Sequence, residues 1–507
     1  MRRQKILLVS LAVVFCLFIV GYIFVVRPMI KDATPAPEVE TPETEPGEVL
    51  MSDRFFMFQS LSADQVSKIS VSNKHGGFTI VRKNNGLFNI EGFERVPCDT
   101  NQVATLTSLT TFTLAKTKVI SNASDEKLEE YGLLKPQASW TVTTTDGEEH
   151  KVLVGDRLIT GGGYYCMYEG RRSVYVLDND VETAVLCPVE KYVSPVICNI
   201  IKQEDFYMIE DYSVYKGKEP LFSLRLVDED EKVNKDALAE VIMDYPTAYY
   251  PDSAYYYEVI YQYMNFMGDS CYKLGVTDED LKAAGLAEPA HTVMFEYHNE
   301  KYVMYFSELQ EDGTYYAATN MYPEFIVKVA AESVEYLEFD LVDWIDSAMF
   351  IQYITNLSEI KVECGDIKAD FDLYHSLSAD GSRDVLNVVA NGQRLTEDGV
   401  ANFRQYYKSF LAIMLEDYIV NDEYCKMTEE ELKAYYEDES NVYLTFSFKT
   451  LEGKETVMKF YKYSARHSAA TINGEGEFYV VTDLITKIAN DTGRVLRGET
   501  VTAFDKY

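Results

Sequence analysis

The sequence predicts an α+β fold in which an N-terminal transmembrane helix precedes three tandem, related α+β units rich in antiparallel strands. Three observations carry that expectation. A charge-free run opens the chain, a twelve-residue motif recurs at an offset of 153 residues, and helical and alternating segments are segregated within each recurrence. Segregated helices and strands mark α+β rather than parallel α/β architecture.

The opening run, Ile6 to Val26, has 21 residues without a charge, and Ser10 is its one clearly polar member. At about 1.5 Å per residue such a helix spans roughly 32 Å, the thickness of a bilayer's hydrocarbon core. Arg2, Arg3 and Lys5 precede it; Arg27 and Lys31 follow, but Asp32 and a series of glutamates come soon after. The positive-inside bias therefore places the N-terminus in the cytoplasm and the body outside. A cleaved signal peptide needs a short apolar core and an A-x-A-like site, and Arg27-Pro28-Met29 offers none. A lipoprotein would use Cys16, but the bulky Phe15 precedes it. Residues 1–30 thus read as an uncleaved signal-anchor, with the membrane contacted through residues 6–26 and a single-pass protein of the cell membrane as the result.

Residues 31–50 change character. Pro35, Pro37, Pro42 and Pro46 alternate with Glu38, Glu40, Glu43, Glu45 and Glu48. Proline favours extended backbone and like charges repel, so this is a stalk that reaches ~50–60 Å at about 3.1 Å per residue.

Five hundred and seven residues suffice for roughly two to four domains. A composition 47% hydrophobic and 25% charged is that of a globular chain. The net charge of −35 excludes a generic nucleic-acid binder, whose phosphate contacts need clustered lysine and arginine, and opposes docking flat on an anionic membrane. Thirty-nine tyrosines and 26 phenylalanines suit strands. Of eight cysteines, Cys16 lies in the anchor and seven remain, an odd number with no C-x-x-C. They read as small buried hydrophobes, with Cys187 and Cys198 the one pair close enough in sequence to suspect of bridging.

In the first unit, residues 51–198, Val66–Asn73, Phe78–Lys83 and Leu87–Glu91 alternate and end in turn residues, a three-stranded meander. Asp99 caps a helix whose apolar positions are Val103, Leu106, Leu109 and Phe112. Leu114–Ile120 is a strand. Ser124 caps a short helix that stops at Gly132 and Pro136. Four strands follow, at Ala138–Thr145, Lys151–Val154, Tyr164–Tyr168 and Val174–Leu177, and Asp178 opens a closing helix.

The second unit, residues 199–347, repeats the landmarks. Leu128, Gly132, Leu133 and Pro136 are matched by Leu281, Gly285, Leu286 and Pro289. Gly163-Tyr164-Tyr165 is echoed by Gly313-Thr314-Tyr315-Tyr316, and Val181-Glu182 by Val334-Glu335. A long helix follows Pro251, with Tyr257, Tyr261 and Met264. The third unit, residues 348–507, diverges. Thr428 to Tyr436 falls 151 residues beyond the second copy but lacks the Gly-Leu and the proline. Its long helix carries Phe403, Tyr407, Phe410 and Met414, and strands follow at Val442–Thr450, Thr456–Tyr463 and Glu477–Val481.

The first copy resembles the bacterial domain-of-unknown-function 4340 family. The likeness rests on the anchor and stalk, on Val66–Asn73 leading to Gly86-Leu-Phe-Asn89, and on Leu128-x3-Gly132-Leu133-x2-Pro136. It rests further on Val154-Gly155-Asp156, Gly162-Gly163-Tyr164-Tyr165 and Val174-Tyr175-Val176. It covers residues 66–195 well and 205–345 loosely. The resemblance implies an envelope protein of unknown activity, often encoded beside ABC-type transporters similar to gliding-motility export components. It brings no catalytic residues.

The residues themselves carry little chemistry. The six histidines, His75, His150, His291, His298, His375 and His467, include no zinc spacing. His291 and His298 flank a strand and read as core or solvent side chains. Gly161-Gly162-Gly163 joins two strands and has no lysine, so it is a hairpin loop rather than a phosphate cradle. Asp228 to Glu231 has the charge of a calcium loop without its spacing. Aromatic side chains can form platforms for sugars or partner proteins; Tyr256 and Tyr257, within the cluster of Tyr249, Tyr250, Tyr255, Tyr261 and Tyr263, are one candidate binding surface, and Asp156, Tyr164 and Tyr165 are another. No catalytic residue, metal or cofactor is expected. The leading expectation is a non-catalytic, membrane-anchored extracytoplasmic scaffold or accessory protein, with ABC-type transporter subunits as partners. A glycan- or peptide-binding envelope protein is the alternative, and a cell-wall hydrolase the second.

Overall fold

Alternation of apolar and polar residues dictates where the strands of the body form. The computed structural model describes residues 44–51, 54–202, 209–226, 241–246, 249–378 and 384–504. Ile6–Val26 and Asp228–Glu231 lie outside these. Among the described residues no helix is long and apolar enough to cross a membrane. The described chain is α+β, built mostly of antiparallel sheets. It forms two compact units: one holds residues up to Ser67 together with Thr107–Val185, the other Lys68–Leu106 and everything from Leu186. The chain passes between them inside the strand Val66–Asn73 and inside the helix Thr100–Thr111.

In the first unit five antiparallel strands lie side by side in the order Ala138–Thr144, Glu149–Arg157, Tyr164–Tyr168, Val174–Leu177, Thr117–Ile120. Ala138–Thr144 alternates buried and half-buried residues without a break, as a strand with one covered face must. Ser124 caps the helix Asp125–Glu130 by accepting from the Lys127 N–H. The helix ends as its Leu-x3-Gly-Leu pattern requires. Gly132 takes a φ of +70°, and the Leu133 N–H returns to the Leu128 carbonyl at 2.7 Å. That turn drops Leu133 beside Leu128, Ala123 and Val174. Gly155 lets the turn dock: a Cβ there would stand 2.1 Å from the Tyr131 carbonyl oxygen, and the next N–H, of Asp156, bonds that oxygen at 2.9 Å.

The end of the sequence-predicted stalk is part of this unit. Val49–Met51 pairs with Arg54–Phe56. The Glu48 carboxylate is fully buried, 2.9 Å from the ammonium of Lys118, and accepts from the Tyr175 hydroxyl at 3.0 Å. Ser173 donates to Glu45 at 2.6 Å. The folded body therefore begins before residue 51, because two of the stalk's glutamates find donors inside it.

The second unit opens with the meander Val66–Asn73, Gly76–Arg82 and Phe88–Ile90, as anticipated. Asp99 caps the helix Thr100–Thr111 through the Gln102 N–H at 2.8 Å. Two eight-stranded sheets follow. The second-unit sheet nearer the N-terminus runs Val241–Tyr245, Glu219–Leu226, Ile209–Lys216, His291–Tyr297, Glu300–Phe306, Thr314–Thr319, Phe325–Ala330, Ser270–Leu274. It joins a meander like that of residues 66–90 to five strands ordered like those of residues 117–177. The C-terminal sheet runs Gln393–Arg394, Asp384–Ala390, Ile367–Leu377, Leu357–Cys364, Leu444–Thr450, Glu455–Lys462, His467–Ile472, Tyr479–Val481. Helix Asp278–Ala283 repeats the glycine turn, with Gly285 at φ +70° and Leu286 returning to Leu281.

The helix Glu429–Glu437 keeps its Thr428 capping box but leaves by an extended residue, Asp438, since it has no glycine. A strand that precedes the short helix closes the other two arrays; here Tyr479–Val481 is last in the sheet order, and Glu416–Ile419, which precedes the short helix, bonds along Glu477–Tyr479 at the corresponding edge. The strand His467–Ile472 was not anticipated, and Asp483 lies in a fifteen-residue helix, Thr482–Leu496. The seven described cysteines are all free, Cys187 and Cys198 included. Cys187 instead accepts from the Gln102 amide at 3.5 Å.

Two substitutions test these constraints. Gly155→Ala will cost about 1–3 kcal/mol through overpacking, read as a lower urea midpoint for the first unit. Lys118→Met will cost about 3–5 kcal/mol by stranding a buried carboxylate. The neutral pair Glu48→Gln/Lys118→Met will recover most of that loss in thermal melts; a double variant no better than the single would refute the pairing.

Candidate functional site

The residues singled out from the sequence fall in both units. In the first, Asp156 is exposed at the end of its strand, and its carboxylate lies against Gly132. Tyr164 is only 4% exposed, and the Arg157 guanidinium stands 5.9 Å from its ring centre, so it is core rather than surface. Tyr165 is half-buried against Tyr131, ring centres 4.5 Å apart. Asp156 and Tyr165 serve the docking of the Gly132 turn. In the second unit Tyr257 is half-buried, and the Tyr256 side chain lies outside the described residues. Their neighbours disperse. Tyr263 is fully buried and shares its hydroxyl with Tyr212 at 3.1 Å. Tyr249 packs edge-on to Phe478, and Tyr250 accepts from Gln352. Only Tyr261 of the described cluster is strongly exposed. The tyrosines are mainly packing, because a helix on a sheet must bury about half of its faces.

A different place gathers chemistry. In the second unit a cavity of about 650 Å³ opens beside the C-terminal sheet. Its walls come from four elements. The segment after the long helix gives Tyr418, Val420 and Asn421; the helix Glu429–Glu437 gives Leu432, Lys433 and Tyr436; the turn before the last strand gives Gly476 and Glu477; and Asp340 caps the helix Leu341–Trp344. The Tyr249 hydroxyl, 228 positions away in the chain, accepts from the Glu477 N–H at 3.4 Å.

Of the cavity's charges one is paired, and the other two belong to exposed residues. Asp340 is paired with Lys216 at 2.8 Å. Burial pushes the Tyr418 phenol up to about 12, against the opposing pull of the Val342 and Leu341 backbone. Burial, and then the charge of Glu475, raises the Glu477 carboxyl. Neither the Glu477 carboxylate nor the Lys433 ammonium has an ion-pair or hydrogen-bond partner among the described residues.

The wall Tyr418–Asn421 is held from behind. Asp422, with 2% of its side chain exposed, bonds His467 Nδ1 at 2.8 Å and accepts from the Tyr463 hydroxyl. His467 stacks on Tyr479 at 4.4 Å and meets Tyr424 edge-on at 5.2 Å; Arg466 donates to the Tyr424 hydroxyl at 2.8 Å. An aspartate that fixes one nitrogen of an imidazole can serve acid–base chemistry, but here it also fastens the loop to the strand His467–Ile472. Burial alone would raise the Asp422 carboxyl; the Tyr463 and His467 hydrogen bonds outweigh it and hold it below the usual carboxylate value.

The other polar clusters are accounted for locally. Glu359, Asp370 and Asp372 bring carboxylate oxygens within 4.8 Å of one another. Lys361 stands opposite Asp370 across the strand pair and bonds Glu359, while Asp370 Oδ1 is buried without a hydrogen-bond partner and burial raises its carboxyl. His291 is buried beside Glu338 at 3.5 Å, and burial lowers its pKa. His298 sits in the turn with φ +53°. His150 stacks on Phe58 at 4.3 Å. Sequence reasoning missed the cavity because its walls are non-periodic. The one available signal was negative: the third copy's helix had lost its Gly-Leu-x-x-Pro ending.

A family model described as a domain of unknown function (DUF4340) matches residues 90–251. No curated protein and no solved structure matches the chain.

Asp422→Asn will lower stability by about 1–3 kcal/mol at pH 7, since it weakens two buried hydrogen bonds. A carboxyl held below its unfolded value contributes stability above about pH 3.9 and loses it as pH falls through the folded pKa. The gap between wild type and variant in urea midpoint should therefore close below about pH 4. A gap independent of pH would refute the role assigned to this charge.

Proposed function

The chain belongs, through residues 90–251, to the family of domains of unknown function DUF4340, and from that premise we propose that it is a non-catalytic, membrane-anchored extracytoplasmic accessory protein of an ABC-type transport complex. In this reading Ile6–Val26 crosses the membrane once with the N-terminus in the cytoplasm. Residues 27–44 form the tether, residues 45–50 are fastened to the body, and the body consists of three related α+β units, residues 51–198, 199–347 and 348–507. The observation that carries the reading is the charge-free run of 21 residues set a short acidic, proline-rich segment ahead of the body. The clasp of Glu48 by Lys118 supports it, because a tether fixed to a rigid unit transmits position where a loose one does not. The repeated strand order and the two matching glycine turns support the three-unit plan. A tether of 18 residues reaches at most ~56 Å at about 3.1 Å per residue. That keeps the body within range of a transporter's outer face.

Protease added to intact cells or spheroplasts tests the placement, and chemical cross-linking in native membranes tests the partnership. The expected results are digestion of the body and linkage of the full-length protein to a permease and an ATPase subunit. Protection of the body would overturn the orientation, and recovery of the protein uncross-linked to either subunit would overturn the assignment.

A further inference from the structure

We propose that Tyr272 and Tyr316 form an oxidative modification site, at which a peroxide acting through a haem peroxidase joins the two rings as an intramolecular dityrosine. The rings are far apart in the chain and together in the fold. Tyr272 lies on the edge strand Ser270–Leu274 and Tyr316 on Thr314–Thr319, with Phe325–Ala330 between them. Their ring centres are 4.4 Å apart and their planes are tilted by 43°, which brings ring carbons to van der Waals contact. Burial, and then the Tyr272 hydroxyl beside it, raises the Tyr316 phenol. The two hydroxyl ends therefore lie together, and so do the ortho carbons that flank them.

The backbone explains how strands on either side of a third present touching rings. The edge strand pairs Cys271 with Val327 and Lys273 with Ile326, so Tyr272 is the extra residue of a β-bulge. A bulge re-aims a side chain, and this one carries the Tyr272 ring to Tyr316. Lys328, opposite Tyr316 in the middle strand, sets its ammonium 5.4 Å from the Tyr316 ring centre and pairs with Asp312 at 2.6 Å. Tyr272 is 46% exposed, so an oxidant can reach the pair. Other close phenols are less open. Tyr131 and Tyr165, 4.5 Å apart, are half-buried against Leu128 and Leu133, and Tyr461 beside Tyr436 is buried. The first unit has the same bulge, but its extra residue is Val119, so the second phenol is missing there.

The chemistry balances within the pair. Each phenol yields one electron and its hydroxyl proton to the oxidised peroxidase. The two phenoxyl radicals form a carbon–carbon bond between their ortho positions. The hydrogen on each of those carbons moves to the neighbouring oxygen, which restores both phenols. In sum, two hydrogen atoms leave the protein, and one hydrogen peroxide takes them up as two waters. The product ties the edge strand to Thr314–Thr319 across the strand between them, at the place where a sheet opens most easily. The inference stands independently of the membrane and transporter assignment.

The test is treatment of the full-length protein in detergent with hydrogen peroxide and a haem peroxidase, followed by isolation of the monomer and mass spectrometry of its tryptic peptides. The expected product is a monomer lighter by two hydrogens, with dityrosine fluorescence and with fragment ions that place the bond between Tyr272 and Tyr316. Tyr272→Phe and Tyr316→Phe should each remove most of the intramolecular dityrosine, whereas Tyr131→Phe should leave it. Unfolding in urea before oxidation should remove it as well, because only the fold brings these two rings together. Absence of intramolecular dityrosine, an unchanged yield in the Tyr272 and Tyr316 variants, or a link that survives unfolding would overturn the proposal.

Discussion

An antiparallel strand sends successive side chains to opposite faces, so each sheet of this protein owns one set of rows that must be hidden from water. The rest of the structure follows from that constraint. Ala138–Thr144 and His291–Tyr297 show the same unbroken alternation, and Trp140 and Phe295 lie in their covered rows. The covering helices answer with aromatics. Tyr263 stacks on Phe295 at 5.4 Å and Phe410 on Phe446 at 4.0 Å. Buried tyrosines satisfy their hydroxyls among themselves, as in the chain Tyr212–Tyr263–Tyr336. This explains the tyrosine-rich composition better than a recognition surface does: a phenol offers a large ring to the core and a hydroxyl that another phenol can satisfy.

What could be read from the sequence was whatever repeats or has a period. The meander of residues 66–90, the caps at Asp99 and Ser124, and the turns at Gly132 and Gly285 all leave local signatures. A Leu-x3-Gly-Leu pattern specifies its own hydrogen bond. Two kinds of feature were not readable. Tyr164 and Tyr165 are adjacent and chemically identical, yet one is core and the other half-buried, because alternation decides their faces and the register of the neighbouring strands decides how deep each lies. The cavity depends on Tyr249 meeting Glu477 and on Asp340 meeting the segment of Tyr418. Such meetings are products of tertiary packing and leave no trace in spacing.

Charge is handled in two ways. Most ion pairs are exposed, and pairs of that kind contribute little, a few tenths of a kcal/mol in typical measurements. Two places differ. At Glu48 the carboxylate is buried with a lysine and a phenol, which ties the start of the body to the edge strand Thr117–Ile120. At Asp422 a buried carboxylate gathers His467 and Tyr463, and the loop it holds bears Tyr418, Val420 and Asn421. In a chain of net charge −35 the general field disfavours further anions. A carboxylate buried under those conditions needs donors close at hand, and both sites provide them.

The divergence of the third unit is then a structural exchange rather than simple decay. Loss of the glycine turn removes the leucine that would return beneath the short helix. The chain leaves Glu437 in extended form at Asp438 instead. At the sheet edge, Glu416–Ile419 precedes the short helix and runs along the last strand, as Thr117–Ile120 runs along Val174–Leu177. Leu432 of the short helix and Tyr418 and Asn421 of the edge segment line one cavity. Together they make a cavity with aromatic walls, and Asp422 anchors the loop so that the walls keep their positions.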